Sequence, residues 1–327
     1  VFAAHAENEI RELADLMQIP VITTMMGISV FPDDDQLFCG MIGTHGVKMA
    51  NAAVNECDVL FLVGARVGDR AVKTPLALEK TTKIIHIDID PAEIGKNIGA
   101  DLPLVGDAKL VLQQMTELAK PMKHDEWMAH IKTLGGERKY VEPAKGTVNP
   151  RVFIDRLAKK MPANVTVVAD VGQNQIWTCT EYKFRKEGRL LTSGGMGTMG
   201  YSVPAAIGAK MADNSRATVA ICGDGAFQMS FMELATAVQF GVDIKVVVMT
   251  NNRLGMVREL QTNGYHDRQT AVFLDGSPDF IKLAEAYGIP AMRVYDDDTM
   301  EKGVEMLAEH KGICLVEVVV DKDMPTL

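Results

Sequence analysis

Two short stretches combine residue types and spacing that could do chemistry: Gly223-Asp224-Gly225 and Asn251-Asn252. Each comes after an apolar run. Thr218–Cys222 and Ile244–Met249 both read as buried strands. Between them, Ser230 to Phe240 reads as a helix stopped by Gly241. That is one βαβ unit, so the strands run parallel and present their C-terminal ends at one sheet edge. Asp224 and Asn251, 27 residues apart, can then face one point in space. That edge is where open α/β sheets bind ligands. A carboxylate and an amide oxygen there suit Mg²⁺, a hard cation that is usually held together with phosphate. A lone Gly-Asp-Gly is ordinarily a turn and a lone Asn-Asn a loop. The pairing at neighbouring strand ends is what points to a metal.

Two further stretches lie close by in the sequence. Asp170-Val-Gly-Gln-Asn174 comes directly after the apolar run at Val165–Ala169. A strand, a glycine turn and a helix start leave backbone N–H groups free to hold an anion, although an ordinary βα loop has the same pattern. Ser193-Gly-Gly-Met-Gly-Thr-Met-Gly200 contains Gly195-x-Gly197-x-x-Gly200, formally the dinucleotide fingerprint. It reads as a decoy. The strand before it (Arg189–Thr192) is short, and no acidic residue ends a second strand at the distance needed for a ribose. Asp224 stands at a strand end but already has the metal role.

The elements that must position these residues belong to a chain of 327 residues, enough for two domains. Hydrophobic residues make up 47% and charged residues 24%, the balance of a globular protein. A net charge of −9 without a long basic run argues against nucleic acid and anionic membrane surfaces as partners. No apolar stretch approaches the roughly 18–20 residues of a membrane span. Cys39, Cys57, Cys179, Cys222 and Cys314 are scattered, with no CxxC pair, which predicts buried thiols in a reducing, cytoplasmic setting. No signal peptide is visible. The first residue is Val1, so the N-terminus reads as cut.

Along the first part, Glu7–Met17 and Gly46–Glu56 read as helices; Pro20–Thr24, Val59–Val63 and Lys83–Asp88 read as strands. Pro91 should open a helix, Asp107 should cap one running to about Ala119, and Asp33–Asp35 read as a solvated turn. Residues 121–149 are punctuated by Pro and Gly and read as a linker with a short helix around Trp127. The second part has strands at Val165–Ala169, Thr218–Cys222, Ile244–Met249 and Ile313–Val320. Its helices include Arg151–Lys160, Pro204–Met211, Ser230–Phe240 and Pro278–Tyr287. The expectation is an α/β chain of two doubly wound domains with mainly parallel sheets, 1–120 and 150–327.

Gly-Asp-Gly with Asn-Asn some 27 residues later resembles the metal signature of the thiamine diphosphate enzymes. More specifically, four stretches resemble the catalytic large subunit of acetolactate synthase (acetohydroxyacid synthase). They are Asp170-Val-Gly-Gln173, Ser193 to Tyr201 with Pro204-Ala-Ala-Ile-Gly-Ala209, Asn251-Asn-x-x-Gly-Met-Val257, and His86-Ile-Asp-Ile-Asp-Pro-Ala-Glu-Ile-Gly-Lys-Asn97. The resemblance runs nearly end to end. It covers that family's central Rossmann-like domain and its C-terminal diphosphate-binding domain.

The resemblance implies a set of site residues. Asp224, Asn251 and the Arg253 carbonyl would hold Mg²⁺. Gly172, Gln173, Asn174, Gly225, Ala226 and Gly255 would line the thiamine diphosphate site. Asn174 stands where the family usually has His. The Gly197 carbonyl would accept from the aminopyrimidine, Met199 would wedge the cofactor into its bent shape, and Met256 would close over the thiazolium. Leu260 stands where relatives preferring 2-ketobutyrate carry Trp, so a weaker preference is expected.

FAD, structural in the family and without a redox role in turnover, would meet Thr24, Met25, His45, Gly64, Ala65, Arg66, Val67, Gly68, Asp88, Ile89 and Asp107. Arg66-Val-Gly-Asp-Arg70 departs from the family's Arg-Phe-Asp-Asp-Arg, and the glycine triplet expected before Val1 is absent. The implied reaction is decarboxylation of pyruvate and ligation of the remaining two-carbon unit to a second pyruvate or to 2-ketobutyrate, in branched-chain amino acid biosynthesis. Implied partners are a second copy in a homodimer or homotetramer and a regulatory small subunit. The family's N-terminal domain, with the glutamate that protonates the aminopyrimidine, has no counterpart here. The chain therefore reads as a fragment that is inactive alone. Other readings are a thiamine enzyme of the same architecture (glyoxylate carboligase, pyruvate oxidase or 2-keto acid decarboxylase) or a non-catalytic nucleotide-binding module.

Overall fold

The computed structural model describes residues 1–136 and 140–327. They form two compact units, Val1–Arg138 and Lys139–Leu327, and every pair of named strands is parallel.

The first unit holds β1 (Val21–Thr23), β2 (Phe38–Met41), β3 (Val59–Val63), β4 (Lys83–Asp88) and β5 (Leu102–Val105). β1 pairs with β2, and β3, β4 and β5 form a separate sheet in that order. The helices Glu7–Met17 and Lys48–Glu56 form where expected, and Asp107 caps Ala108–Leu118 by accepting from the Lys109 and Leu110 N–H groups. The helix expected around Trp127 is Asp125–Leu134. Its Ile131 packs with Cys39 and Ala53 in a core of this unit. The helix expected from Pro91 does not form. Residues 91–98 make successive turns, with Gly95 at φ +76°, a conformation that stops helix propagation.

The second unit contains β6 (Thr166–Ala169), β7 (Arg189–Thr192), β8 (Thr218–Gly223), β9 (Lys245–Thr250), β10 (Ala291–Val294) and β11 (Cys314–Val319). They form one sheet in the order β10-β11-β9-β8-β6-β7. β6, β8 and β9 are buried along almost their whole length, as continuous Val/Ile-rich runs in a covered parallel sheet must be. Val168, Ala220, Val246 and Leu315 meet Phe227, Phe280 and Leu234 in the core.

The stretch expected to be one helix from Ser230 divides. A 3₁₀ turn, Phe231–Glu233, precedes the helix Leu234–Gln239, and Gly241 comes next but one at φ +60°. From β6 the chain steps outward to β7, then returns past β6 to β8. The order therefore reverses between β6 and β8, and the crevice at their C-terminal ends is the topological switch point.

Candidate functional site

β8 and β9 are adjacent and parallel, with Gly223 opposite Met249. Asp224 begins directly after β8, and Asn251 comes directly after Thr250 at the end of β9. The Asp224 carboxylate is 1% exposed. Its Oδ1 accepts from the Gly225 N–H at 2.8 Å, and its Oδ2 accepts from the N–H groups of Asn251 at 3.2 Å and Asn252 at 2.7 Å. One side chain thus ties the two strand ends together. Asn252 takes φ +55°, the left-handed conformation that Asn tolerates better than most residues.

No cationic side chain pairs with Asp224 among the described residues. Burial pushes its carboxyl up to about 6, against the opposing pull of those backbone hydrogen bonds.

The neighbouring oxygens complete a donor set. Asn251 Oδ1 accepts from the Arg253 N–H at 3.1 Å and retains a second lone pair. The loop after it is pinned to an opposite segment by the Leu254 N–H to the Val272 carbonyl and the Leu274 N–H to the Asn252 carbonyl. The carbonyl between them, that of Arg253, has no backbone donor among the described residues. A carboxylate, an amide oxygen and a carbonyl, all hard ligands, fit Mg²⁺. No group of three or more His, Cys, Asp or Glu suited to a metal exists among the described residues.

Across the switch point, Gly172 (φ +134°) opens the helix Gln173–Glu181. Asn174 lies between Gly172 and Gly223. A Cβ on Gly172 would come 2.9 Å from Asn174 Oδ1, and one on Gly223 would come 3.4 Å from it. The Asn174 side chain, expected to line the thiamine diphosphate site, is engaged within the chain. Its Nδ2 donates to the Asp170 carbonyl at 2.8 Å and to the Ile221 carbonyl at 3.2 Å, so both hydrogens are committed.

Gln173 is similarly engaged. Its Oε1 accepts from Asn251 Nδ2 at 3.2 Å. Its Nε2 donates to the Met324 carbonyl at 2.9 Å and to Thr326 Oγ1 at 3.2 Å. What the helix start still offers an anion is its first-turn backbone N–H groups. Gly255 lies against the same amide: a Cβ there would come 1.9 Å from Gln173 Oε1.

Met199 reaches this point too. A Cβ on Gly225 would meet Leu254, Leu274 and the Met199 methyl at 2.7, 3.2 and 3.3 Å. Ala226 is buried beside it. Gly197 takes φ +70° in an exposed loop. Met256 and Leu260 are four residues apart on the helix Gly255–Gly264 and so share one face; Leu260 is 61% exposed.

Three features were not anticipated from the sequence. Asp170, fully buried, accepts from the N–H groups of Val171, Gly200 and Ser202 and so holds the glycine loop from beneath. Glu259 accepts from Thr326 and from Gln173 Nε2. Residues 324–326 lie along the start of the Gln173 helix, where the Trp177 indole N–H donates to the Pro325 carbonyl at 3.1 Å. Only Asp170 carried a signal, its place directly after a strand.

In the first unit, Gly64–Gly68, Asp88–Ile89 and Asp107 come after three adjacent parallel strands and so share one edge; the Gly106 N–H donates to the Asp88 carbonyl. Asp88 Oδ1 accepts from the Asp90 N–H. Arg66 and Ile89 are exposed, Val67 is buried, and the Arg66 carbonyl accepts from Asn97 Nδ2. Thr24 and Met25 come just after β1, and His45 is half-buried.

All five cysteines are free and four are buried. Burial raises Cys39 and Cys314 to about 11 and Cys179 to about 12, which leaves them as inert thiols. Among the described residues no helix is long and apolar enough to cross a membrane.

Residues 170–318 match the family model "Thiamine pyrophosphate enzyme, C-terminal TPP binding domain". Residues 1–115 match "Thiamine pyrophosphate enzyme, central domain". The chain is 40% identical to a probable acetolactate synthase large subunit of Methanocaldococcus jannaschii, over 98% of this chain and 56% of the relative. It is 36% identical to the acetolactate synthase large subunit of Lactococcus lactis, over 95% and 54%. It is 38% identical to an acetolactate synthase of Mycobacterium bovis, over 98% and 53%. The chain thus spans about half the length of these curated relatives.

Proposed function

The chain belongs to the thiamine pyrophosphate enzymes, carrying their central and C-terminal domains, and on that premise we propose that it is part of an acetolactate synthase large subunit. The reaction is decarboxylation of pyruvate and ligation of the two-carbon unit to a second 2-keto acid, pyruvate or 2-ketobutyrate, in branched-chain amino acid biosynthesis. One observation carries the cofactor-holding role: Asp224 and Asn251 meet at adjacent strand ends on the switch point, with oxygen ligands and, among the described residues, no cationic side chain paired with Asp224. The relatives' names support the choice of reaction.

Asp224, Asn251 and the Arg253 carbonyl would hold Mg²⁺, and the backbone at Gly172–Asn174 would receive the diphosphate. When bound, thiamine diphosphate supplies an electron sink for the decarboxylation. The residues of this chain orient and shield it. Met199, which lies against Gly225, would set the cofactor's shape, and Met256 with Leu260 would offer it an apolar face. Asp170 keeps the loop carrying Gly197 in place. FAD is proposed for the edge formed by Gly64–Gly68 and Asp88–Ile89, with no step assigned to it. Assembly as a homodimer or homotetramer, a regulatory small subunit and a cytoplasmic location belong to the same reading; the free, buried cysteines support the last.

Product analysis of the full-length protein tests the reaction. With pyruvate, Mg²⁺ and thiamine diphosphate, the product should be 2-acetolactate. Tartronate semialdehyde from glyoxylate, acetyl phosphate or a free aldehyde as the main product would instead identify a different enzyme of the same architecture.

A further inference from the structure

The Arg253 carbonyl is aimed by a short segment outside the motifs that mark the site. Arg253 and Phe273 stand opposite each other in an isolated antiparallel bridge. The Leu254 N–H donates to the Val272 carbonyl at 2.9 Å, and the Leu274 N–H donates to the Asn252 carbonyl at 3.0 Å. These bonds flank the Arg253–Phe273 pair, so the pair itself is of the non-hydrogen-bonded kind. The N–H and C=O of an extended residue point the same way, and those of Arg253 therefore point away from Phe273. The N–H shows where: it donates to Asn251 Oδ1 at 3.1 Å. The Arg253 carbonyl is thus turned to the side on which Asn251 presents its amide oxygen.

The aiming segment is itself fixed. Its side chains alternate between two faces, as in any extended stretch. Val272 is fully buried, and Leu274 lies 3.2 Å from where a Cβ on Gly225 would stand. Just beyond, Ser277 Oγ accepts from Gln228 Nε2 at 3.1 Å and donates to the Leu274 carbonyl at 2.8 Å.

Phe273 and Asp275 face the other way and hold the Arg253 side chain. The guanidinium lies 4.7 Å from the centre of the Phe273 ring, a cation–π contact. Its Nη1 donates to Asp275 Oδ1 at 2.7 Å and back to the Asn252 carbonyl at 2.7 Å. Only a flat guanidinium can stack and donate in this way at once. The Arg253 side chain is consequently 16% exposed, although that of its partner Asp275 is 73% exposed. An exposed ion pair contributes little to folding. What this one restrains is rotation of the residue whose carbonyl faces the site. Mg²⁺ demands near-ideal octahedral ligands, whereas Ca²⁺ accepts longer and less regular ones, so a carbonyl free to swing penalises Mg²⁺ the more.

Given the metal role read above for Asp224, Asn251 and Arg253, on which this rests, we propose that Phe273 and Asp275 are positioning residues of the metal site. They hold the Arg253 side chain so that its carbonyl stays aimed at the cation, and they thereby set a preference for Mg²⁺ over larger divalent ions.

Equilibrium dialysis of thiamine diphosphate against the full-length protein, at increasing Mg²⁺ or Ca²⁺, tests this. The quantity read is the ion concentration that gives half-maximal binding. Phe273→Leu combined with Asp275→Ala should raise it at least about tenfold for Mg²⁺ and less than about threefold for Ca²⁺. In an Arg253→Ala background the same two substitutions should change either value by less than about twofold, because they act through that side chain. If the double variant fails to fold, Asp275→Ala alone serves, with an expected rise of about threefold for Mg²⁺ and none for Ca²⁺. Equal shifts for the two ions, no shift for Mg²⁺, or an undiminished shift in the Arg253→Ala background would overturn the proposal and leave the metal at Asp224. Wild-type binding that needs neither ion would overturn it together with the metal reading.

Discussion

At the scale of single residues, the site rests on side chains that glycine lets come close. Gly255 faces Gln173, a buried amide with hydrogen bonds on both ends. A Cβ at 1.9 Å has no room, because the amide cannot retreat without losing partners. Gly255→Ala should destabilise the protein by about 1–3 kcal/mol and weaken thiamine diphosphate binding at least tenfold. Gly208, on the helix Ser202–Ala212, has nothing within 4 Å of where a Cβ would stand. Gly208→Ala should therefore be neutral or stabilising by up to about 1 kcal/mol. Denaturant midpoints of the two variants, with calorimetry of the first, check the contrast; equal effects would mean that close approach at Gly255 is unimportant.

Asp224 gives a pH signature. Its carboxyl moves from 3.8 to about 6 in the folded chain, so the folded state binds a proton that the unfolded state has released in that window. In chelator, its contribution to stability should fall as pH rises from about 4 to about 6. The loss approaches about 3 kcal/mol once both states are ionised. Asp224→Asn should lack this pH-dependent component. Parallel pH profiles of the two proteins would show that burial does not penalise the charge. Asp224, Asn251, Gly172 and Met199 were legible as residue types at strand ends or in glycine loops. The commitments of Asn174 and Gln173 were not, because which partner a buried amide finds depends on segments 47 and 151 residues away.

At the scale of elements, long apolar runs and capped helices read plainly from the sequence. β3, β4, β8 and β9 and the helix after Asp107 form within a residue or two of their expected bounds. β2, β5 and β10 went unread: each has four residues, too few for a period to show, and each exists because a neighbour supplies its hydrogen bonds. The helix expected at Pro91 shows the converse, a favourable start defeated by the left-handed backbone at Gly95.

The end of the Ser193–Gly200 loop is tied down by Asp170, which accepts from the Gly200 N–H at 3.1 Å, from the Ser202 N–H at the start of the next helix at 2.8 Å and from the Val171 N–H at 2.8 Å. Asp170→Ala should leave those donors buried and cost about 1–3 kcal/mol. It should also open the loop to limited proteolysis between Gly194 and Thr198, detected by mass spectrometry of the fragments. Unchanged cleavage kinetics would mean that the loop is held by something else.

At the scale of the whole molecule, the decisive feature is the place where strand order reverses. The alternation of strands and helices predicted parallel sheets, and the order β10-β11-β9-β8-β6-β7 adds a relation that no local pattern contains: β6 and β8 become neighbours although β7 lies between them in sequence. That adjacency brings Gly172 and Asp170 to Asp224. The most direct measurement is calorimetric titration of thiamine diphosphate into this chain, with and without Mg²⁺, for the wild type, Asp224→Ala and Asn251→Ala. Saturable binding that requires Mg²⁺ and is lost in Asp224→Ala is the predicted result, with Asn251→Ala weakened at least tenfold. Binding of equal affinity in chelator, or in both variants, would contradict the placement of the metal and diphosphate at this strand edge.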